Sequence, residues 1–278
     1  MAAPARRRTP AKAARAAGPL ITLTSDFGVR DPYAGIMKSR IFLRAPGLAV
    51  VDLTHAITPF RPEEAGYWLY CCLGQFPAGT VHVAVVDPGV GGERAIVVLR
   101  AAGQLFVAPD NGLLGLVAQT CPQSRAYRVT SAALDALGLA PLGATFHGRD
   151  IMAPLGAELA TGRVTAEQIG PPQVLAAGAL RPAEEAPNGA LCGTVALIDH
   201  YGNCLTTIPA AAVGARRHVR LRSDARALRL VRTYEEAAPG ECVALINSAS
   251  MLELAVRQAS AASLLNARPG QPVYLTES

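Results

Sequence analysis

The sequence lacks the cysteine and histidine spacings that are typical of zinc and redox sites. Its six cysteines form no C-x-x-C pair, and its five histidines include no H-x-x-x-H pair. No apolar run reaches the length of a membrane span. We therefore expect no metal site and no membrane segment, and we interpret the cysteines as reduced, mostly buried thiols of a cytoplasmic protein.

The body of the chain also lacks an excess of basic charge. The formal net charge is +5, but the first 18 residues hold five basic residues and no acid. The remaining 21 basic residues are matched by 21 acids, so the sequence predicts no basic surface for nucleic acid. We interpret residues 1–18 as a disordered basic tail, with a targeting role or an anionic partner as alternatives.

Apolar strands alternate with helical patterns in the first part of the chain. PLITLTSDF, LAVVDLTHAI and TVHVAVVD read as strands, and the segments between them have helical periodicity. Asp31 is predicted to cap the first of these helices. RAIVVLRA and QLFVAPD predict a hairpin. The order of elements predicts an α/β domain over residues 19–175, with a Rossmann-like, mainly parallel sheet covered by helices.

The composition changes after about residue 171, where four prolines occur within twenty residues. We interpret residues 176–190 as a linker and residues 191–278 as a smaller β-barrel-like domain of short strands. One helix is predicted in the smaller domain, over residues 250–262.

Three predicted strands end on an aspartate, or pass through one, at the edge where parallel sheets bind ligands. They are the strands of Asp26, Asp52 and Asp87. A single aspartate of this kind often only bonds nearby backbone amides at a strand end. Three of them at one edge favour a site.

The segment VVDPGVGGER, residues 85–94, places a glycine-rich turn behind Asp87 and ends on Arg94. A phosphate loop needs free backbone N–H groups, usually a lysine, and no carboxylate beside the anion. This turn has the carboxylate and lacks the lysine. It suits a cation, a hydroxyl-rich sugar or a water to be activated, with a plain hairpin turn as the alternative.

Other candidates lie in three loops. His147 stands in FHGRD, where Asp150 is predicted to cap the next helix and a zinc site is a weak alternative. In DHYGN, Asn203 can bind a purine edge, Tyr201 can stack on the ring and Asp199 can hold an ammonium group; a simple turn is equally compatible. Ser248, in a loop before the predicted helix, can bind a carboxylate.

Seven motifs, taken in order, resemble those of the S-adenosylmethionine hydroxide adenosyltransferase family, relatives of the fluorinating and chlorinating enzymes. They are TSDFGVRDPYAG, VDLTHAITPF, VVDPGVGGER, VAPDNG, FHGRD, DHYGN and NSASMLELAV. The resemblance extends from about residue 20 to the C-terminus. It implies an α/β domain followed by a smaller β domain. It also implies a homotrimer in which each site lies between the large domain of one subunit and the small domain of its neighbour.

The resemblance also implies roles for individual residues. Asp87, Arg94 and His147 match the group that activates water. The positions that match substrate contacts are Asp26 at the ribose hydroxyls, Asp31 and Asp199 near the methionine end, Tyr201 and Asn203 at the adenine, Phe60 beside the substrate, and Ser248 at the carboxylate. Departures from the family pattern, at positions tied to methionine and adenine recognition, are Thr207, Ala249, Ser250 and Arg257.

The reaction implied is displacement at the 5′ carbon of S-adenosylmethionine by water or hydroxide, which gives adenosine and L-methionine. No metal and no other cofactor is expected, because the sulfonium departs as a neutral thioether. A halogenase is the alternative within the family, although an Asp-Arg-His group suits water better than a bare halide. A non-catalytic module that binds S-adenosylmethionine or adenosine, and a nucleotide-phosphate enzyme, are alternatives from other classes.

Overall fold

A computed structural model describes residues 19–139, 143–187, 189–216, 218–221 and 227–276. The predicted basic tail, residues 1–18, lies outside the described residues. Within them, none of the helices has the length and apolar character needed to cross a bilayer. The described chain forms an α/β domain followed by a β-barrel.

The sheet of the N-terminal domain contains β1 (Leu20–Ser25), β2 (Ala49–Thr54), β3 (Val81–Val85), β4 (Ile96–Ala101), β5 (Gln104–Pro109) and β6 (Arg125–Arg128). Their order is β2-β1-β3-β5-β4-β6. β1 is parallel to β2 and β3, and β3 is parallel to β5, whereas β4 is antiparallel to β5 and β6. The mainly parallel sheet and the hairpin predicted from the sequence are confirmed.

Helices cover both faces of this sheet. They are α1 (Tyr33–Arg44), α2 (Pro62–Cys71), α3 (Gly115–Thr120), α4 (Ser131–Ala136), a π-helix (Gly148–Met152), α5 (Ala153–Ala160) and α6 (Ala166–Ile169). On one face, Val83 packs with residues of α1 and α5; on the other, Ala84 packs with residues of α2 and α3. Every residue of β3 is buried, as expected of a central strand in a doubly covered parallel sheet.

Two helix caps predicted from the sequence are wrong. α1 begins at Tyr33 after Pro32 and has no side-chain cap, so Asp31 does not cap it. Asp150 lies inside the π-helix, where its buried carboxylate accepts hydrogen bonds from Arg149 at 2.6 and 2.9 Å. Both predictions assumed that the helix begins directly after the aspartate, and the backbone places the helix starts elsewhere.

The C-terminal domain contains β7 (Glu184–Glu185), β8 (Leu191–Ile198), β9 (Cys204–Pro209), β10 (His218–Leu221), β11 (Leu228–Val231), β12 (Cys242–Ile246), β13 (Met251–Val256) and β14 (Pro272–Thr276). β8 to β14 close into a seven-stranded barrel, because β14 pairs with both β10 and β8. β7 extends the sheet beside β8 and lies within the predicted linker. The short helices of this domain are α7 (Ala210–Val213), a 3-10 turn (Tyr234–Glu236) and α8 (Ala261–Leu265). The predicted β-barrel-like domain is confirmed.

The helix predicted over residues 250–262 is wrong. Its first part is β13, which is paired with β12 on one side and β9 on the other. All six residues of β13 are buried, and the helical segment α8 begins only at Ala261. A short apolar run does not distinguish a buried strand from a buried helix, and pairing within the barrel decides the outcome.

A small apolar cluster joins the two domains. Tyr67 on α2 is fully buried and clusters with Leu197 and Leu205 of the barrel. Its hydroxyl donates a hydrogen bond to the carbonyl of Thr206 at 3.0 Å. This contact attaches the barrel to the α2 face of the sheet.

None of the six cysteines forms a disulfide, as the sequence predicts. Only Cys204 is buried, and the other five are half-buried, so the prediction of mostly buried thiols is wrong.

A buried histidine in the sheet predicts a pH-dependent stability. His82 is fully buried, stacks on Phe106 with ring centroids 4.7 Å apart, and lies 2.7 Å from the hydroxyl of Thr22. Burial lowers the pKa of His82 from 6.5 to about 4. The unfolded chain therefore binds a proton below pH 6.5 that the folded chain does not bind until about pH 4. Stability is fully present above this window and is lost as the pH falls through it.

We expect roughly 3 kcal/mol of the unfolding free energy to depend on this imidazole. Urea unfolding at pH 7 and pH 5 should give a larger loss of stability for the wild-type protein than for His82→Gln. His200→Gln, which removes an exposed imidazole, is the control and should lose as much unfolding free energy between the two pH values as the wild type. An equal loss for His82→Gln and the wild type would contradict the assignment.

Candidate active site

The carboxyl ends of β1 and β3 meet at a cavity of about 300 Å³. Its lining residues are Asp26, Phe27, Tyr33, Pro59, Phe60, Val85, Asp87, Pro88, Val90, Thr145, Phe146, His147 and Gly148. This is the edge at which open parallel sheets bind ligands. Four residues predicted from the sequence, Asp26, Phe60, Asp87 and His147, are among them.

Asp87, Arg94 and His147 form one hydrogen-bonded group. Nε of Arg94 donates to both carboxylate oxygens of Asp87 at 3.0 Å, and Nη2 donates to Oδ2 of the same carboxylate. Nη2 also contacts Nδ1 of His147 at 2.9 Å. The carboxylate and the guanidinium are only 5 % and 12 % exposed. The structure thus brings together the three residues grouped by the sequence resemblance, with the guanidinium between the other two.

The glycine-rich turn after β3 makes this geometry possible. The amide of Val90 donates to the carbonyl of Asp87 at 3.2 Å, which reverses the chain toward Arg94. Gly91 has a φ of +80°, and a Cβ there would lie 2.5 Å from the carbonyl oxygen of Ala144. The turn therefore packs directly against the loop that carries His147, and only glycine fits at the contact.

Electrostatics assign distinct roles to His147 and Asp87. Burial and the charge of Arg94 lower the pKa of His147, and the charges of Asp87 and Asp150 offset only part of this effect. A neutral imidazole that accepts a hydrogen bond from Arg94 at Nδ1 carries its hydrogen on Nε2. His147 therefore offers a donor at Nε2, while Asp87 offers lone pairs on its carboxylate.

A second pair of residues shapes the opposite side of this cavity. Asp26 accepts a hydrogen bond from the backbone amide of Phe60 at 3.1 Å. Phe60 has a φ of +66°, a strained conformation for a residue with a Cβ, and its side chain is 71 % exposed. Such strain is typical of functional sites, where the surrounding structure holds the residue in place.

Three aromatic rings at the cavity were missed by the sequence analysis. Phe27, Tyr33 and Phe146 contact one another with ring centroids 5.5 to 5.7 Å apart. Each lies inside a motif that carries the family resemblance, close to the polar residues of that motif. Aromatic residues make up only 5 % of the chain, so the presence of three of them within these motifs was a signal that could have identified them.

Two predicted residues of the N-terminal domain lie outside the cavity. Asp52 is on the edge strand β2, where its carboxylate contacts Lys38 at 2.6 Å and His55 at 3.0 Å. Burial raises the pKa of Asp52, but these two partners lower it by more, so the net direction is downward. Asp31 is exposed, two residues before the Tyr33 that lines the cavity. Of the three strand-end aspartates, the structure brings together only Asp26 and Asp87.

The barrel carries a separate cavity of about 650 Å³ that includes Tyr201 and Asn203. Asp199 organises this turn, because its carboxylate accepts hydrogen bonds from the amides of Tyr201 at 2.9 Å and Asn203 at 2.8 Å. It also accepts one from Nδ2 of Asn203 at 3.0 Å. Tyr201 is 77 % exposed, so its ring is available to stack on a ligand.

The sequence analysis missed a buried carboxylate beneath the barrel cavity. Glu253 is buried on β13 and accepts a hydrogen bond from the hydroxyl of Tyr234, which lines the cavity, at 2.7 Å. Burial raises the pKa of Glu253. The residue stands in the stretch predicted as a helix, so the error in secondary structure concealed its inward position.

The loop that carries Ser248 joins β12 to β13 and does not precede a helix. Asn247 holds it, because its Oδ1 accepts hydrogen bonds from the amides of Ala249 at 3.0 Å and Met251 at 3.1 Å. Ser248 is exposed. Among the departures from the family pattern, Arg257 lines the barrel cavity, whereas the Thr207 hydroxyl accepts a hydrogen bond from the amide of Thr194 inside the barrel.

Six of the predicted site residues are thus divided between two cavities that share no lining residue, whereas Arg94, Asp31, Asp199 and Ser248 line neither cavity. The N-terminal cavity is lined by Asp87 and His147, which Arg94 joins, together with Asp26 and Phe60. The barrel cavity holds Tyr201 and Asn203. Each cavity by itself contains only part of the predicted site.

Curated relatives are similar to this chain over nearly its whole length. An (R)-S-adenosyl-L-methionine hydrolase from Thermus thermophilus is 41 % identical, covering 90 % of this chain and 97 % of the relative. A hydrolase of the same name from Salinispora arenicola is 36 % identical over 94 % and 99 %. A fluorinase from Actinoplanes sp. is 28 % identical over 94 % and 98 %.

A solved structure and two family profiles agree with these relatives. A conserved protein from Thermotoga maritima superposes with a TM-score of 0.82 at 29 % identity, covering 92 % of this chain and 99 % of that chain. Residues 21–170 match the SAM hydroxide adenosyltransferase N-terminal domain, and residues 193–274 match the C-terminal domain of the same family. The chain therefore belongs to the SAM hydroxide adenosyltransferase family.

Proposed function

We propose that this protein hydrolyses S-adenosyl-L-methionine to adenosine and L-methionine by attack of water at the 5′ carbon. The observation that carries the proposal is the hydrogen-bonded group of Asp87, Arg94 and His147, with Asp87 and His147 on the wall of the cavity. Relatives at up to 41 % identity are named (R)-S-adenosyl-L-methionine hydrolase. Since "L-methionine" already fixes the α carbon, (R) describes the sulfonium, and we propose that epimer as the preferred substrate.

The leaving group of this reaction needs little catalytic assistance. The sulfonium departs as a neutral thioether, so no acid is needed to protonate it. The demanding steps are to remove a proton from water and to hold the oxygen in line with the C–S bond. Attack by a forming hydroxide on a cation reduces charge in the transition state, which a cavity shielded from water favours.

Each member of the Asp-Arg-His group has a proposed part in these steps. Asp87 accepts the proton of the attacking water, because its carboxylate faces the cavity. Arg94 fixes the orientation of that carboxylate and offsets its charge. His147 donates from Nε2 to the water oxygen and thereby orients its lone pair toward the substrate.

The proposed roles of the remaining residues are those that the family resemblance implies. Asp26 binds the ribose hydroxyls, with Phe60 beside the substrate, in the N-terminal cavity. Tyr201 and Asn203 bind adenine in the barrel cavity, where Asp199 holds their turn. Ser248 binds the carboxylate, and Asp31 and Asp199 lie toward the methionine end.

A homotrimer accounts for the division of the site between two cavities. We propose that the N-terminal cavity of one subunit faces the barrel cavity of its neighbour, so that one substrate contacts both. Completing the site in this way needs no change of fold within a subunit. We further propose that the enzyme works in the cytoplasm, where thiols such as those of its six cysteines stay reduced.

The halogenase alternative is disfavoured by charge at the cavity. A halide would lie against the ionised carboxylate of Asp87, and a group that activates water would compete with it. A non-catalytic binding module would use the same contacts but would have no need of the Asp-Arg-His group.

Product analysis in oxygen-18 water tests the proposal. Purified protein is incubated with each sulfonium epimer, with and without chloride or fluoride, and the nucleoside is analysed by mass spectrometry. We expect labelled adenosine, formed faster from the (R) epimer and at a rate independent of halide. Halogenated adenosine as the main product would support the halogenase, and intact bound substrate would support the binding module.

The value of kcat/KM should fall at acid pH as His147 becomes protonated. Protonation of Nδ1 ends its hydrogen bond with Arg94 and places two cations side by side. Because burial and Arg94 lower the pKa of His147, we expect kcat/KM to hold as the pH falls toward about 6.5 and to decline only at lower pH. Initial rates from pH 5 to pH 9 measure this decline. A midpoint at or above pH 6.5 would contradict the role of His147, and His200→Gln should leave the decline unchanged.

Removal of metal ions should leave the activity intact. We propose a reaction without a metal or other cofactor, because the sulfonium needs no Lewis acid to depart. Protein dialysed against EDTA and assayed in metal-free buffer should keep its kcat within about 20 % of that of untreated protein. A loss that added Mg²⁺ or Zn²⁺ restores would overturn this expectation.

A further inference from the structure

The turn after β5 makes a direct contact with the peptide that carries Asp87. Nδ2 of Asn111 donates a hydrogen bond to the carbonyl of Val86 at 2.9 Å. Oδ1 of Asn111 accepts from the amide of Leu113 at 3.3 Å, which orients the side-chain amide so that its donor faces Val86. β5 lies beside β3 in the sheet, so the two strand ends are neighbours.

This hydrogen bond restrains the backbone of Asp87. The peptide bond between Val86 and Asp87 is planar, so fixing its carbonyl also fixes the amide nitrogen and the Cα of Asp87. Val86 is fully buried. A shift of this peptide would move the Cα of Asp87 and, with it, the carboxylate that Arg94 holds.

The turn itself is held firmly from the opposite side. Asp110 accepts hydrogen bonds from the amide of Ala176 at 2.8 Å and from Nε2 of Gln173 at 3.1 Å, and its own amide donates to Ala95 at 2.9 Å. Gly112 has a φ of +92°, and a Cβ there would lie 2.7 Å from the carbonyl oxygen of Ala177. The segment leading to the barrel is therefore packed onto the turn, which makes it a fixed support for Asn111.

We propose that Asn111 is a positioning residue for Asp87. It acts through the Val86 carbonyl and is not among the residues that line the N-terminal cavity. The inference rests on the proposed hydrolysis, since its effect is read in the rate of the step that Asp87 serves. An asparagine is required because the site needs one donor toward Val86 and one acceptor toward Leu113, separated by a single planar amide.

The test replaces the side-chain amide of Asn111, in the turn after β5, and the matched amide of Gln104 at the start of β5. Asn111→Asp keeps the shape and removes the donor. Gln104→Glu makes the same chemical change where Nε2 of Gln104 donates to the carbonyl of Phe76 at 3.0 Å. Gln104 begins β5, at the edge opposite the cavity. The kcat, the KM for S-adenosyl-L-methionine and the thermal unfolding midpoint are measured for both variants.

We expect Asn111→Asp to lower kcat by about 10- to 100-fold with KM within about threefold, because a misplaced base slows the reaction without weakening substrate contacts. Gln104→Glu should change kcat by less than about threefold, whatever it does to the unfolding midpoint. If Asn111→Asp does not fold, Asn111→Ala removes the donor without adding charge and should give the same loss of kcat.

Two results would overturn the inference. One is a folded Asn111 variant with the wild-type kcat. The other is an equal loss of kcat in the Asn111 and Gln104 variants, which would assign the effect to general destabilisation. A wild-type protein that forms no adenosine would instead refute the proposed hydrolysis, so the two failures are distinct.

Discussion

Replacing Asp87 by asparagine is expected to lower kcat by about 10³- to 10⁴-fold. The substitution keeps the size of the side chain and one oxygen that can accept a hydrogen bond from Arg94, but an amide is far too weak a base to take the proton in the proposed reaction. It also leaves the guanidinium without a counter-ion in a site where both groups are almost fully buried. KM should change by less than about fivefold, because Asp87 acts on the water more than on the substrate.

Asp52→Asn is the matched control for this experiment. Asp52 also follows a hydrophobic run at the same edge of the sheet, but its carboxylate contacts Lys38 and His55 outside the cavity. Its kcat should stay within about threefold of that of the wild type. Steady-state rates with radiolabelled S-adenosyl-L-methionine measure both variants. A kcat for Asp87→Asn within tenfold of that of the wild type would remove this residue from the proposed mechanism.

Two inactive variants should restore activity when they assemble together. Asp87→Asn disables the N-terminal cavity, and Asn203→Ala disables the barrel cavity by weakening the binding of adenine. If each site is shared between neighbouring subunits, every mixed trimer contains one site built from two intact halves. Co-expression with two affinity tags and purification on both should give about one third of the wild-type kcat/KM.

The control for this complementation mixes two variants of the same cavity. Asp87→Asn with His147→Ala can form no site with an intact N-terminal half, so no activity should return. Native mass spectrometry of the doubly purified sample gives the subunit number directly. Full activity in a monomer, or no recovery in a mixed trimer, would contradict the shared site.

The parallel sheet could be predicted from the sequence because the patterns of strands and helices are local and recur several times along the chain. Alternating strands and helices give a parallel sheet through general chirality and packing rules, and a glycine-rich turn after Asp87 can bring Arg94 back within a few residues. His147 lies more than fifty residues from Arg94, and their contact depends on how two loops pack at Gly91 and Ala144. That contact followed from the family resemblance and not from any local pattern.

The errors have a common physical origin in tertiary context. Asp52 and Asp87 look alike in sequence, but β2 is an edge strand beside α1, whereas β3 is central and opens onto the cavity. Likewise, the residues of β13 have no sequence feature that reveals their pairing on both sides. Pairing with the neighbouring strands β12 and β9 makes the residues of β13 extended.

The separation of the two cavities has an evolutionary consequence. The proposed activation of water depends on loops of the α/β domain, whereas the proposed recognition of the base depends on turns of the closed barrel. Substitutions that alter recognition of the base can therefore accumulate in the barrel without disturbing the nucleophile. Changes of nucleophile can likewise arise in the α/β domain while the same substrate is kept. Recognition of the base and activation of the nucleophile are thus open to independent selection.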